Sequence, residues 1–129
     1  MQGRGQRFVA VQIHEMKKNT CMILYVKGCV TMQIIITAYD GQNMLEKRME
    51  VRPRHLQNLA TIKGKILCAG GLLDEEGKMK GSVMVIDFDS RECLDEYLKS
   101  EPYIMEKVWE KVAVESMNVV VLNGEKVGG

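Results

Sequence analysis

The chain has 129 residues, 46% of them hydrophobic and 27% charged, which suffices for one domain with a real core and is too little for two ordinary ones. A formal net charge of +1 gives no global electrostatic reason to expect a nucleic acid or an anionic membrane surface as partner. No apolar run approaches the roughly 18 to 20 residues needed to cross a bilayer, so a soluble protein without a membrane partner is expected.

The charge is uneven along the chain. Residues 1–31 carry Arg4, Arg7, Lys17, Lys18 and Lys27 against Glu15, a net +4, while the remainder is net −3. That split marks residues 1–31 as a separate basic piece: a tag, a genuine N-terminal extension or an early start. Its apolar run, residues 21–26, is too short for a secretory signal. Four cysteines, Cys21, Cys29, Cys68 and Cys93, form no C-x-x-C pair, which argues for free thiols and a reducing, cytoplasmic setting. His14 with Cys21 and Cys29 matches no zinc spacing, so neither a metal nor another cofactor is expected.

From Met32 onward the pattern becomes regular. "QIIITAY", residues 33–39, is a β-branched strand closed by the turn "DGQN". A short helical turn over 43–50 is followed by a helix over 53–63, with Pro53 at its first position, Leu56, Leu59 and Ile62 at helical spacing, and Gly64 as its stop. "KILCAGGLL" (65–73) and "GSVMVIDF" (81–88) are strands joined by an acidic, glycine-punctuated hairpin. The second helix begins at Asp89 or Ser90 as cap, shows Cys93, Leu94, Tyr97 and Leu98 on one face, and stops at Pro102. A last strand over 111–122 precedes a flexible tail, 123–129.

The order is βαββαβ, which fits an α+β, ferredoxin-like domain over residues 32–122, with both helices on one face of an antiparallel sheet. Strands that are apolar on both sides must bury the second face as well, and another copy of the chain is the simplest cover. A homodimer packed sheet to sheet is therefore expected.

His55 is one of only two histidines and lies between arginines in "RPRHL". In the first turn of a helix begun at Pro53, free backbone N–H groups disfavour the protonated ring, and a neutral imidazole can accept a proton. Its plain alternative is an exposed residue at a helix start.

"RPRHLQNLA", "AGGLLDEEGKMKGSVMVIDFDS" and "SEPYIMEKVWEKVAV" together resemble the YciI-like (YCII-related) family. The resemblance implies a dimeric α+β barrel and an active site centred on a histidine and an aspartate, which fall on His55 and Asp74. Where the family has Asp-Pro-Tyr this chain has Glu101, Pro102 and Tyr103, a carboxylate with longer reach. Two acidic partners for His55 thus stand open, Asp74 and Glu101.

The topology brings the end of the first strand, the start of the first helix, the hairpin and the end of the second helix to one edge of the sheet. Tyr39, Asp40, Arg52, His55, Asp74, Ser82, Glu101 and Tyr103 belong to that edge, and a base, an orienting acid and hydrogen-bond donors are what proton transfer requires. His55 and Asp74 are the expected catalytic pair; Arg52, Ser82, Glu101 and Tyr103 are the expected substrate contacts. Each has an ordinary use: Arg52 as a solvated charge or a partner of Glu50 or Glu101, Asp74 as a turn residue, Ser82 as a strand cap, Tyr103 as a core aromatic. Trp109 and the ten methionines read as core and interface.

The function expected on these grounds is acid-base chemistry, isomerisation or elimination, on a small organic molecule, and the resemblance adds a dehydrochlorinase-type activity. No base stands beside Cys68, which makes covalent catalysis a poor fit. The alternatives are a non-catalytic dimeric module that binds a metabolite or a protein, and a cofactor-free monooxygenase.

Overall fold

The computed structural model describes residues 11–15, 22–26 and 32–129. Strands β1 (Val11–Glu15), β2 (Met22–Val26), β3 (Gln33–Asp40), β4 (Gly64–Leu73), β5 (Met79–Phe88) and β6 (Trp109–Ser116) form a sheet in the order β1-β2-β6-β3-β5-β4. The four strands β6, β3, β5 and β4 pair antiparallel throughout, in the arrangement of a ferredoxin-like unit. Helices α1 (Leu45–Leu59) and α2 (Arg91–Ser100) and the single turn α3 (Pro102–Met105) complete the α+β fold.

Strand alternation decides which side chains reach the core. In β3 the buried apolar side chains are Ile34, Ile36 and Ala38; in β5 they are Met84, Ile86 and Phe88; in β6, Trp109, Val112 and Val114. These meet Val51 of α1, Leu94, Tyr97 and Leu98 of α2, and Tyr103 and Ile104 of α3 in one cluster. The intervening residues of β3 and β5, Ile35, Thr37, Val83 and Val85, are only partly buried and belong to the opposite sheet face.

Several expectations change. Pro53 does not begin a helix: α1 runs unbroken from Leu45, with Pro53 inside it. Interior proline costs on the order of 3 kcal/mol through a lost backbone bond and ring crowding. Here the ring is exposed, and an unbroken α1 carries Arg48, Val51 and His55 on its buried face. Leu56, expected to be on the apolar face, is 45% exposed, because the face turned inward carries two polar side chains. The helix ends at Leu59, before the expected Lys63.

Ser90 is the cap of α2, accepting from the Cys93 N–H at 3.2 Å, and Pro102 does end that helix. The last long strand stops at Ser116. Beyond it, β7 (Val121–Leu122) and β8 (Glu125–Lys126) form a small hairpin over Asn123 and Gly124, both at positive φ, so the stretch read as a tail carries ordered pairing. Of the basic segment, β2 pairs parallel with β6 and β1 pairs antiparallel with β2; residues 1–10, 16–21 and 27–31 lie outside the described residues, as do Cys21 and Cys29.

Candidate functional site

The continuity of α1 places Arg48, Arg52 and His55 at i, i+4 and i+7, along one side of the helix. His55 is thereby in the third turn, away from the free N–H groups of the helix start, and it is buried, with 7% of its surface exposed. Its Nδ1 lies 2.8 Å from Glu101 Oε2. The ring stacks on Tyr103 at 4.2 Å between centroids and 19° between planes, and Trp109 presents an edge at 6.0 Å.

Glu101 is fully buried and receives three groups. Its Oε2 also accepts the Tyr103 N–H at 2.8 Å, as cap of α3, and Oε1 accepts the hydroxyl of Tyr97, four residues earlier on α2. Burial pushes the Tyr97 hydroxyl well above its ordinary pKa, and the Glu101 charge pushes the same way, so Tyr97 stays a donor. With the carboxylate acting as acceptor throughout, the His55 proton belongs on Nδ1, leaving Nε2 as the nitrogen that can take one.

Arg48 also lies over the Tyr103 ring, its guanidinium 4.7 Å from the ring centroid. Nη1 donates to Asp40 Oδ1 at 2.8 Å and Nη2 to Ser82 Oγ at 2.7 Å. A planar fork with fixed donor directions suits two acceptors on neighbouring strands, β3 and β5. Burial raises the Asp40 carboxyl above its usual range, with the Arg48 charge opposing. The Tyr103 hydroxyl is raised by burial too, against the charges of Arg48 and then Arg52. Four buried polar atoms here have no hydrogen-bond partner among the described residues: Asp40 Oδ2, Arg48 Nε, Tyr103 Oη and Trp109 Nε1. Buried polar groups are normally paired, so these four atoms leave the cluster short of hydrogen bonds.

Asp74 is not in this cluster. It is exposed in the β4–β5 turn, where Oδ1 accepts from the backbone N–H groups of Glu76 and Lys78 at 2.8 and 2.9 Å. Those two bonds, Lys78 first, hold its carboxyl below the usual range. The hairpin needs an acceptor to satisfy its own amides, and that local demand uses the side chain. Asp74 does share a cleft of about 220 Å³ with Asp40 and Lys80. Glu101, expected as a substrate contact, is the carboxylate on His55; Ser82 is engaged by Arg48; Arg52 is partly buried near Tyr103. Among the described residues no three histidine, cysteine or acidic side chains gather as metal ligands.

The model of the YCII-related domain matches residues 32–118. The chain belongs to the YCII-related family. Protein YciI of Escherichia coli O6:H1 is 31% identical over 97 residues, covering 69% of this chain and 99% of that protein. Aspercryptin biosynthesis cluster protein B of Emericella nidulans is 36% identical over 80 residues, 55% of this chain, and the match spans only 51% of the fungal protein. Among solved structures, the 5-chloro-2-hydroxyhydroquinone dehydrochlorinase of Burkholderia phenoliruptrix, in complex with 2,5-dihydroxybenzoquinone, aligns with a TM-score of 0.60 at 22% identity, over 67% of this chain and 93% of that one, a likeness of fold.

Within this YCII-related domain, Arg48 and Tyr97 escaped the reading from sequence. Arg48 shares a helix face with Arg52 and His55, a signal hidden by treating Pro53 as a break. Tyr97 stands four residues before Glu101, a helical neighbour spacing that the apolar count assigned to the core.

Proposed function

We propose that this YCII-related protein is an enzyme that moves a proton on a small organic molecule, in an isomerisation or elimination, with His55 as general base and Glu101 as the carboxylate that orients it. The observation that carries the reading is the 2.8 Å contact from His55 Nδ1 to a carboxylate that has no exposed surface. It fixes one tautomer and leaves Nε2 for substrate, the arrangement a positioned base needs. Asp74, engaged by its turn, has no part in this pair. Arg48, Tyr103 and Trp109 carry unmet donors buried within the same packed cluster, which keeps the surroundings of the pair polar. Arg52, through its charge on Tyr103, belongs to the same surroundings. The structural neighbour's activity on a chlorinated hydroxyhydroquinone supports small oxygen-rich ring compounds as the first substrates to try.

A homodimer forms part of the same reading. Ile35, Val83 and Val85 stand on the sheet face that α1 and α2 leave open, beside Tyr39, 46% exposed, and a second copy would cover them. No helix of the described residues is long and apolar enough to cross a membrane, and with Cys68 and Cys93 as free thiols we place the protein in a reducing cytoplasm.

The test is a screen of the purified protein against hydroxyquinols, chlorohydroxyquinols and small keto acids, repeated with His55→Ala. Turnover that falls at least about a hundredfold in the variant supports the base, within the range general-base groups contribute. Turnover that is unchanged by His55→Ala overturns it. A second reading, a non-catalytic binding module, draws on the structural use of Glu101, which caps α3 and ties it to α2 whatever the histidine does. Retained ligand binding in a protein that turns over no compound would favour it.

A further inference from the structure

A single hydrogen bond sets where the His55 ring lies but not how it is turned. The Nδ1 contact to Glu101 Oε2 at 2.8 Å leaves the imidazole free to swing about that line, and Nε2 swings with it. The plane is set by a second contact, the near-parallel stack on Tyr103 at 4.2 Å between centroids and 19° between planes. Tyr103 is fully buried, yet its hydroxyl has no hydrogen-bond partner among the described residues, so Oη does not tie the far end of that ring. Besides His55, the ring meets Trp109, tilted at 5.4 Å, and the Arg48 guanidinium, 4.7 Å from its centroid and within cation–π range.

Arg48 is itself firmly placed. It is only 3% exposed, and its two terminal nitrogens donate to Asp40 on β3 and to Ser82 on β5, at 2.8 and 2.7 Å. Two bonds from one planar group fix its plane as well as its position, which a lysine ammonium cannot do. Because β3 and β5 pair with each other, both acceptors are anchored in the sheet. Replacing a buried ion pair by apolar side chains is often neutral or stabilising, so packing alone does not account for the arginine. A chain of contacts runs from the sheet through Arg48 and Tyr103 to His55, separate from the one through Tyr97 and Glu101.

We propose that Arg48 is a positioning residue for the proposed base: held by Asp40 and Ser82, it fixes the Tyr103 ring, and that ring sets the direction in which His55 presents Nε2. The inference rests on His55 acting as base, and it is tested apart from that reading by a ring signal that needs no substrate. The experiment records long-range 1H–15N spectra of the histidine rings in the full-length, 15N-labelled protein, with His55 assigned by its loss in His55→Ala. The wild type is expected to show His55 as one tautomer, its proton on Nδ1. In Arg48→Met, which keeps the apolar stem and removes the fork, the His55 signals are expected to broaden and move toward a mixture of tautomers. Ser82→Ala, which removes one of the two acceptors, is expected to do the same to a smaller extent. On a substrate found by the screen, Arg48→Met is expected to lower kcat about tenfold with KM within about twofold, part of the roughly hundredfold that a misplacement of about 1 Å can cost. His55 signals that match the wild type in a folded Arg48→Met protein would overturn the proposal, as would an unchanged kcat. Should that variant fail to fold, unaltered His55 signals in Ser82→Ala would overturn it instead. Turnover indifferent to His55→Ala defeats the base, whereas unmoved ring signals defeat only the role of Arg48.

Discussion

Two carboxylates of this domain occupy opposite environments. Glu101, at the junction of α2 and α3, has no exposed surface and meets the side chains of Tyr97 and His55 and the backbone of Tyr103. Asp74, in the β4–β5 turn, is exposed and bonds only to amides two and four residues along its own chain. The first joins elements distant in sequence, so its loss propagates; the second closes a local turn, and its loss stays there. A carboxylate becomes a partner for a base through the packing around it, and an acidic residue near a motif does not by itself supply that.

Removing each group should expose this contrast, with Glu101→Ala giving the largest effect. That change leaves three donors facing a buried void, at about 1–3 kcal/mol for each unmet donor, so Tm should fall by roughly 10 °C or more in thermal unfolding followed by circular dichroism. A shift within a few degrees would mean the junction holds without its carboxylate and would collapse the comparison. Tyr97→Phe removes one donor and keeps the ring, for a loss of about 1–2 kcal/mol. Under the proposed mechanism it should also reduce turnover more than substrate affinity, because Glu101 loses one of the groups that fix its position; a change in affinity alone would make Tyr97 purely structural.

The smallest effect belongs to acidification. Asp74 has a folded-state pKa below its unfolded value, so its stabilising contribution is present above the ordinary carboxylate range and is lost as pH falls through that lowered pKa. Asp40, raised by burial, behaves oppositely: it binds its proton more readily when folded, so its penalty at neutral pH is relieved as pH falls through the raised value. Tm measured from neutral to acidic pH should therefore show Asp74→Asn converging on the wild type at low pH, while the wild type gains relative to Asp40→Asn. Parallel curves for all three proteins would remove the distinction between the buried and the exposed carboxylate.

Much of the fold was legible in the residues themselves. The βαββαβ order, the Ser90 cap and the stop at Pro102 follow from alternation, capping chemistry and proline geometry, all of which act within a few residues. His55 and Glu101 were both visible as candidates. Which of the two open acidic candidates, Asp74 or Glu101, stands on His55 was not, because the contact spans 46 positions and depends on how α1 crosses the α2–α3 junction.

The sequence by itself determined the class of the main elements after Met32 and their βαββαβ order, because periodicity and turn chemistry are properties of neighbouring residues, and its motifs carried the family resemblance. Tertiary structure alone decided that α1 runs through Pro53, that Arg48 reaches Asp40 on β3 and Ser82 on β5, and that Asp74 stays with its own turn. The physical reason is that a helix interior tolerates a proline, and a guanidinium tolerates burial, only when contacts from distant elements offset the cost, and those contacts exist only once the layers have packed.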